Sequence, residues 1–277
     1  MPTPGKSLYA FLNAPDYEQL VTNTCVLPDP NNKSQILANW VAAQGQLGQA
    51  VANAGNPDIQ PIPASHTAYI QSLRQAQWVV ERGLALWNYA LVEIEPLLAY
   101  QYTIALPRSQ HHCTPFAQPP TLDQLLTACL PLVPPNDTFS VTHAPNSMLI
   151  TSKSLNLQGL AYGMVAQGFA GLVFGPSVPF AHVTRYNGRC YLHNGFHRAY
   201  GAKLAGATHI PCVLRDVFTP EEAGIRNDGG TFGLSVLESA NPPTMAHFAR
   251  GSAEDVQLRV FTRSLHVSWV QYSVAEE

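Results

Sequence analysis

The stretch from Val183 to Val217, VTRYNGRCYLHNGFHRAYGAKLAGATHIPCVLRDV, constrains the fold more than any other part of this 277-residue chain. Asn187-Gly188 separates two β-forming runs, 183–186 and 189–193, and is a strong two-residue hairpin signal. Asn194-Gly195 then supplies a capping side chain and a permissive backbone step into an Ala-rich helix, 196–205. Gly206 is placed to end that helix, and 209–215 returns as an apolar, β-branched strand. The pattern is strand, turn, strand, helix, strand, with almost no spare residues.

Helix physics says what the turn at Gly195 can do. The first N–H groups of a helix lack intrahelical partners, and the macrodipole adds partial positive charge there. Gly195 admits a close-approaching group, while His197 and Arg198 stand in the same first turn. A phosphate would meet backbone donors, a guanidinium fork and an imidazole together. The competing reading is a plain helix-to-strand connection whose arginine caps a neighbour. An arginine that faces a ligand would leave the stability of the free protein almost unchanged.

These residues resemble the signature of the ParB/sulfiredoxin-like superfamily. In that family a strand leads into Asp-Gly-His-His-Arg, Gly-Glu-Arg-Arg or Gly-Gly-Cys-His-Arg, then an Ala-rich helix and Gly-x-x-x-Ile-Pro-x-x-Val. Here the pieces stand as Asn194-Gly195-Phe196-His197-Arg198, 199–205, and Gly206-Ala207-Thr208-His209-Ile210-Pro211-Cys212-Val213. Leu91-Val92-Glu93-Ile94-Glu95-Pro96-Leu97-Leu98 is similar to the family's opening strand. The resemblance implies an α+β fold with a small mixed sheet around the strand–Asn-Gly-Phe-His-Arg–helix–strand core. It implies phosphate binding by Asn194, Gly195, Phe196 and Arg198, supported by Arg185 and His193. Sulfiredoxins place a catalytic Cys where this chain has Phe196, and a thiolate nucleophile is essential to that chemistry, so sulfiredoxin activity is excluded. Other branches use a carboxylate near the turn; only Glu93 and Glu95 stand where they can replace it, with His197 as the acid–base candidate. Mg²⁺ would accompany a nucleotide if phosphoryl transfer occurs.

Charge agrees with a small anionic ligand. Net charge is −3 and charged residues are only 12% of the chain, which disfavours a broad nucleic-acid surface. Yet 177–217 holds Arg185, Arg189, Arg198, Lys203 and Arg215 against Asp216 alone. Five Cys without a CxxC pair read as reduced thiols, and Cys190 and Cys212 fall on expected core strands. The N-terminal MPTPGKSLYAFLNAPD lacks a basic region followed by an apolar run, so the expectation is a cytoplasmic protein without a membrane partner.

Three regions are expected: a helical N-terminal layer over 1–90, the core over 91–217 with an insertion at about 132–175, and a β-rich C-terminal extension over 218–277 packed on the core. Helical spacing predicts a short helix at 17–22 and longer ones at 33–54 and from Ser65 or Thr67 to Trp87. Residues 89–106 read as strand, 107–120 as a loop carrying His111-His112-Cys113, and 121–130 as a capped helix. No second ligand pair accompanies His111-His112-Cys113, so no metal site is expected. Residues 137–150 read as a hairpin, the glycine-studded 155–175 as a closely packed helix and turn, and Thr219-Pro220 as a helix start. Asn227-Asp228-Gly229-Gly230 reads as a tight turn, and 256–261 and 265–274 as two antiparallel strands.

Two readings of different class stay open. One is a nucleotide-dependent phosphotransferase or hydrolase, the other a non-catalytic sensor or scaffold that keeps the phosphate pocket. They part on whether Glu93 or Glu95 reaches the Arg198 turn. A DNA-processing, nuclease-like protein is the weakest reading, because terminal strands stand where a DNA-binding helical domain would follow.

Overall fold

The computed structural model describes residues 1–277 except 49, 82, 115, 134–138, 153–156, 167–168, 177, 226–230, 250–251 and 271–277. In chain order it holds β1 (Thr3–Ser7), α1 (Ala14–Thr24), α2 (Lys33–Gly45), β2 (Ile59–Pro61), α3 (Thr67–Gln75) and α4 (Gln77–Glu81). Next come β3 (Asn88–Glu93), β4 (Thr103–Ala105), α5 (Leu106–Cys113), α6 (Leu122–Cys129), β5 (Ser140–Ala144), β6 (Ser147–Ser152), β7 (Leu157–Ala166) and β8 (Phe169–Pro176). The chain continues through β9 (His182–Tyr186), β10 (Arg189–Asn194), α7 (Phe196–Leu204), β11 (His209–Asp216), α8 (Leu234–Leu237), α9 (Met245–Ala249), β12 (Glu254–Leu258) and β13 (Arg263–Ser268). No helix among the described residues is long and apolar enough to cross a membrane.

The chain is α+β and divides into two compact units. The first joins Met1–Val133 to Phe180–Arg259, and the second joins Pro134–Pro179 to Val260–Glu277. This differs from the three regions read from sequence. The segment expected as an insertion shares its unit with the last stretch of the chain, whose β13 pairs antiparallel with β6 from Arg263↔Ser152 to Ser268↔Ser147. The N-terminal region is no separate layer either, since β1 is the middle strand of a β12-β1-β4 sheet.

The first unit is organised by a five-stranded sheet of order β10-β9-β11-β3-β2. Asn187 (φ 48°) and Gly188 (φ 74°) form the tight turn that folds β10 back on β9, since both central residues take the left-handed conformation such hairpins require. α7 then carries the chain past β9 to β11, which lies parallel to β9 and antiparallel to β3. Val92, Val183, Leu192, Ile210 and Cys212 are fully buried strand residues, and α7 turns Phe196, Ala199, Tyr200 and Ala202 inward. Burial of each large side chain contributes about 1.5–3 kcal/mol, so this small helix is held by its inner face rather than by propensity.

Several local expectations are corrected. α2 stops at Gly45 rather than near residue 54, and the long helix expected up to Trp87 is the pair α3 and α4. β3 ends at Glu93 rather than continuing through residues 94–98. Residues 106–113 form α5, with Pro107 in the first turn where a missing N–H costs nothing. Thr219 opens one capped turn instead of a helix, its Oγ1 accepting from Glu222 N at 3.2 Å before Gly224 reverses the chain. β12 pairs with β1 rather than with β13. The tight turn expected at Asn227-Asp228-Gly229-Gly230 and the strand end beyond 270 lie outside the described residues.

In the second unit, β5, β6 and β13 form one sheet of order β13-β6-β5. β7 and β8 form a long antiparallel hairpin where a helix and turn were expected. Gly163 faces Gly171, and Gly159 and Gly175 face Phe174 and Gln158 across the ladder. The register shifts between Gly159 and Ala161, so the glycine spacing that resembles a helix face is split between the two faces of the ladder.

Candidate anion site at the α7 N-terminus

Gly195 is the N-cap of α7, with φ 100° and ψ 19°, and no side chain caps this end. A Cβ at Gly195 would lie 3.1 Å from the Cα and Cβ of Ala181, so glycine answers both the left-handed backbone and the close approach. Asn194 is not the cap that was expected. It is the last residue of β10, opposite His182. The ladder slips between Leu192 and Asn194, so His193 occupies a bulge next to the turn, as bulges often do where a side chain is re-aimed. Phe196 is 3% exposed and meets the Tyr100 ring edge-on at 5.5 Å, anchoring the first turn in the core.

Arg198 is buried directly beneath this turn. Its Nη1 donates to the carbonyl oxygens of Ala128 at 3.2 Å and Cys129 at 3.5 Å, the last carbonyls of α6. Its Nη2 is 3.6 Å from the position a Gly195 Cβ would take. One guanidinium therefore closes the negative end of α6 while standing behind the positive end of α7. The open fork expected from the resemblance is partly committed to the frame.

His197 is tied in as well. Its Nε2 accepts the Ala105 N–H at 3.1 Å, which places the ring proton on Nδ1. Burial, then Arg108, His112 and Arg198, push its pKa down to about 3. A neutral ring whose acceptor is in use has no proton to deliver near pH 7, so the acid–base role does not fit this geometry.

The two carboxylates stand elsewhere. Glu95 Oε1 pairs with Lys203 Nζ at 2.7 Å, in the last turn of α7 and so roughly 10 Å along the helix axis from its start. Glu93 Oε2 accepts the Asp58 N–H at 3.1 Å on the β2 side of the sheet, where His209 Nε2 lies 3.3 Å from Asp58 Oδ2. Neither reaches Arg198. Arg185 is held by Asp216 through two bonds of 2.5 and 3.0 Å, and His193 Nδ1 donates to Ala223 O at 3.2 Å. The two glutamates read as catalytic candidates are thus away from the turn, and the groups gathered at it are arginines, neutral imidazoles and N–H donors. A hard, oxygen-seeking ion does not fit that set. Among the described residues no cluster of three or more His, Cys, Asp or Glu can hold a metal ion.

What the sequence reading missed comes from α5. Ala105 sits at His197, and Ser109 O would lie 3.0 Å from a Cβ on Gly201, so α5 and α7 run side by side with their N-termini at one end. α5 also lacks a capping side chain, and neither first turn holds an acid. Arg108 and His112, one turn apart on α5, face the α7 start closely enough for Arg108 to disfavour the charged forms of His197 and Arg198. His112 is lowered to about 4 by burial first, then by Arg198, His111 and Arg108. The signal was Pro107, read as the start of a loop although Pro also suits the first turn of a helix.

Next to the turn, the His182 Nε2 is buried with no hydrogen-bond partner among the described residues. The ring stacks on Trp87 at 5.3 Å and lies 4.8 Å from His193, while Arg215 covers the Trp87 ring at 5.0 Å. Burial, with His193 and Arg215, pushes its pKa down to about 3. The five thiols are free; burial raises Cys113, Cys129 and Cys190 to about 11 and lifts Cys25 and Cys212 above the ordinary thiol value, so none is poised as a thiolate.

Comparison of the chain with protein-family models, with curated proteins and with solved structures gives no match.

Proposed function

We propose that this protein binds a phosphate group, carried by a nucleotide or another phosphorylated small molecule, at the N-terminus of α7 and without catalysing its transfer. The observation that carries the reading is the convergence of two arginines and unpaired backbone donors on a glycine-capped helix start. Arg198 lies behind Gly195, and Arg108 of α5 flanks it, with the neutral ring of His112 one turn further along. The two parallel helix dipoles add to the same field. The resemblance to ParB/sulfiredoxin-like proteins at Asn194-Gly195-Phe196-His197-Arg198 points the same way, and the net charge of −3 favours a small anion over nucleic acid.

The non-catalytic form is preferred over phosphoryl transfer on two grounds: Glu95 is bound to Lys203 at the far end of α7, and His197 is neutral with its acceptor in use. Arg108 is exposed, so its removal leaves the core intact and isolates binding from folding. Calorimetric titration of pyrophosphate into the native protein and Arg108→Ala should show the variant binding roughly tenfold more weakly, the worth of one charge-assisted bond. Equal affinity in the two proteins, or no heat in either, refutes the reading.

A further inference from the structure

On the other side of the α5–α7 contact lies a cleft of about 260 Å³. Its apolar walls are Leu106, Phe116, Tyr200 and Leu204, and Gln110 and Gln118 stand among the lining residues as neutral polar groups. α5 and α7 pack closely at Gly201, where a Cβ would fall 1.8 Å from Cys113 Sγ, and both residues line the cleft.

Two features bear on what the cleft takes. The first is charge. None of its lining residues carries one at neutral pH, and burial raises both titratable groups, the Cys113 thiol to about 11 and the Tyr200 phenol above its ordinary value. An ion entering it would lose hydration with nothing to replace it. The second is Leu204, a wall residue left 60% exposed. An apolar occupant would cover it and remove that surface from water. The volume lies below the roughly 300–1,000 Å³ of drug-sized ligand sites, which suits a molecule of one or two rings.

We propose that this cleft binds a small, uncharged, largely apolar ring compound, at a site separate from the α7 N-terminus. The neutral amides of Gln110 and Gln118 meet a single hydroxyl or carbonyl of that compound, while its rings lie against Phe116, Tyr200 and Leu204.

The cleft contains its own reporter. Of the five Cys, four are buried and Cys113 alone is half-exposed, so N-ethylmaleimide should modify Cys113 first. The probe is 2-naphthol below its pKa, with 2-naphthalenesulfonate as its charged counterpart. Naphthol should slow Cys113 alkylation several-fold in a saturable manner, and the sulfonate should not. Leu204→Glu, a change at an exposed position, should weaken that protection at least tenfold. Equal protection by both compounds, no protection by naphthol, or protection unchanged in Leu204→Glu would overturn the proposal. Pyrophosphate should leave the alkylation rate unaltered whether or not it binds at the helix start, which keeps the two sites' tests apart.

Discussion

Truncating Arg198 removes the donor that closes α6 as well as a charge beneath Gly195. Arg198→Ala should therefore cost about 1.5–3 kcal/mol, the range for hydrogen bonds made by charged groups, read as a lower urea midpoint with unchanged slope. Arg198→Lys should recover only part, because an ammonium lacks the second arm. A midpoint unchanged in Arg198→Ala would mean that the α6 bonds contribute nothing. This replaces the expectation that an arginine here would leave the free protein's stability untouched. Residue type was legible at 198, but whether a long side chain folds back onto carbonyls depends on α6, 70 residues away in sequence. Histidine behaviour follows the same logic. His112, His182 and His197 have folded pKa values of about 4, 3 and 3, below the ordinary value of 6.5. The unfolded chain thus binds more protons than the native state below pH 6.5, and stability rises with pH through that window. The melting temperature should be level above pH 7 and fall steadily from pH 6.5 towards 4. A flat profile there would contradict the burial of these rings.

α5 and α7 stand or fall on their contact at Gly201. Gly201→Ala gains about 1 kcal/mol of helix propensity, yet its methyl would meet Cys113 Sγ at 1.8 Å, and overpacking of this kind costs about 1–3 kcal/mol. The single variant should be destabilised, and Cys113→Ala in the same chain should restore much of the loss. Additive effects in the double-mutant cycle would show that the two residues do not touch. Element by element, legibility followed the strength of local punctuation. β9, β10, α7 and β11 begin and end within a residue of expectation, because Asn187-Gly188, Gly195 and Gly206 each require a positive φ. α6 was equally clear, its capping box linking Thr121 and Gln124. α5 was missed because Pro107 punctuates loops and helix starts alike, and with it went Arg108 and His112. The β7–β8 hairpin was missed because spaced glycines suit a packed helix and a paired strand equally well.

Over the whole molecule, the pairing that defines each unit joins residues far apart in sequence. β1 pairs with β12, and β6 with β13, more than 110 residues away in either case. No local pattern announces such partners, which explains why a three-region reading gave way to two interleaved units. The first unit owns both sheets of the candidate site and its helices, so it should fold alone. A chain joining Val133 to Phe180 through a short Gly-Ser linker and ending at Arg259 should unfold in one cooperative transition by circular dichroism. A broad, non-cooperative melt would contradict the division.

The central claim is that phosphate sits on the amides that open α7, with Arg198 behind them and Arg108 beside them. Amide chemical shifts report this most directly, because a bound anion perturbs the N–H groups it touches. Titration of pyrophosphate into the ¹⁵N-labelled native protein should move the Phe196, His197 and Arg198 amides first and furthest, with saturation at one equivalent. Shifts confined to other surfaces, or none at millimolar pyrophosphate, would contradict the account.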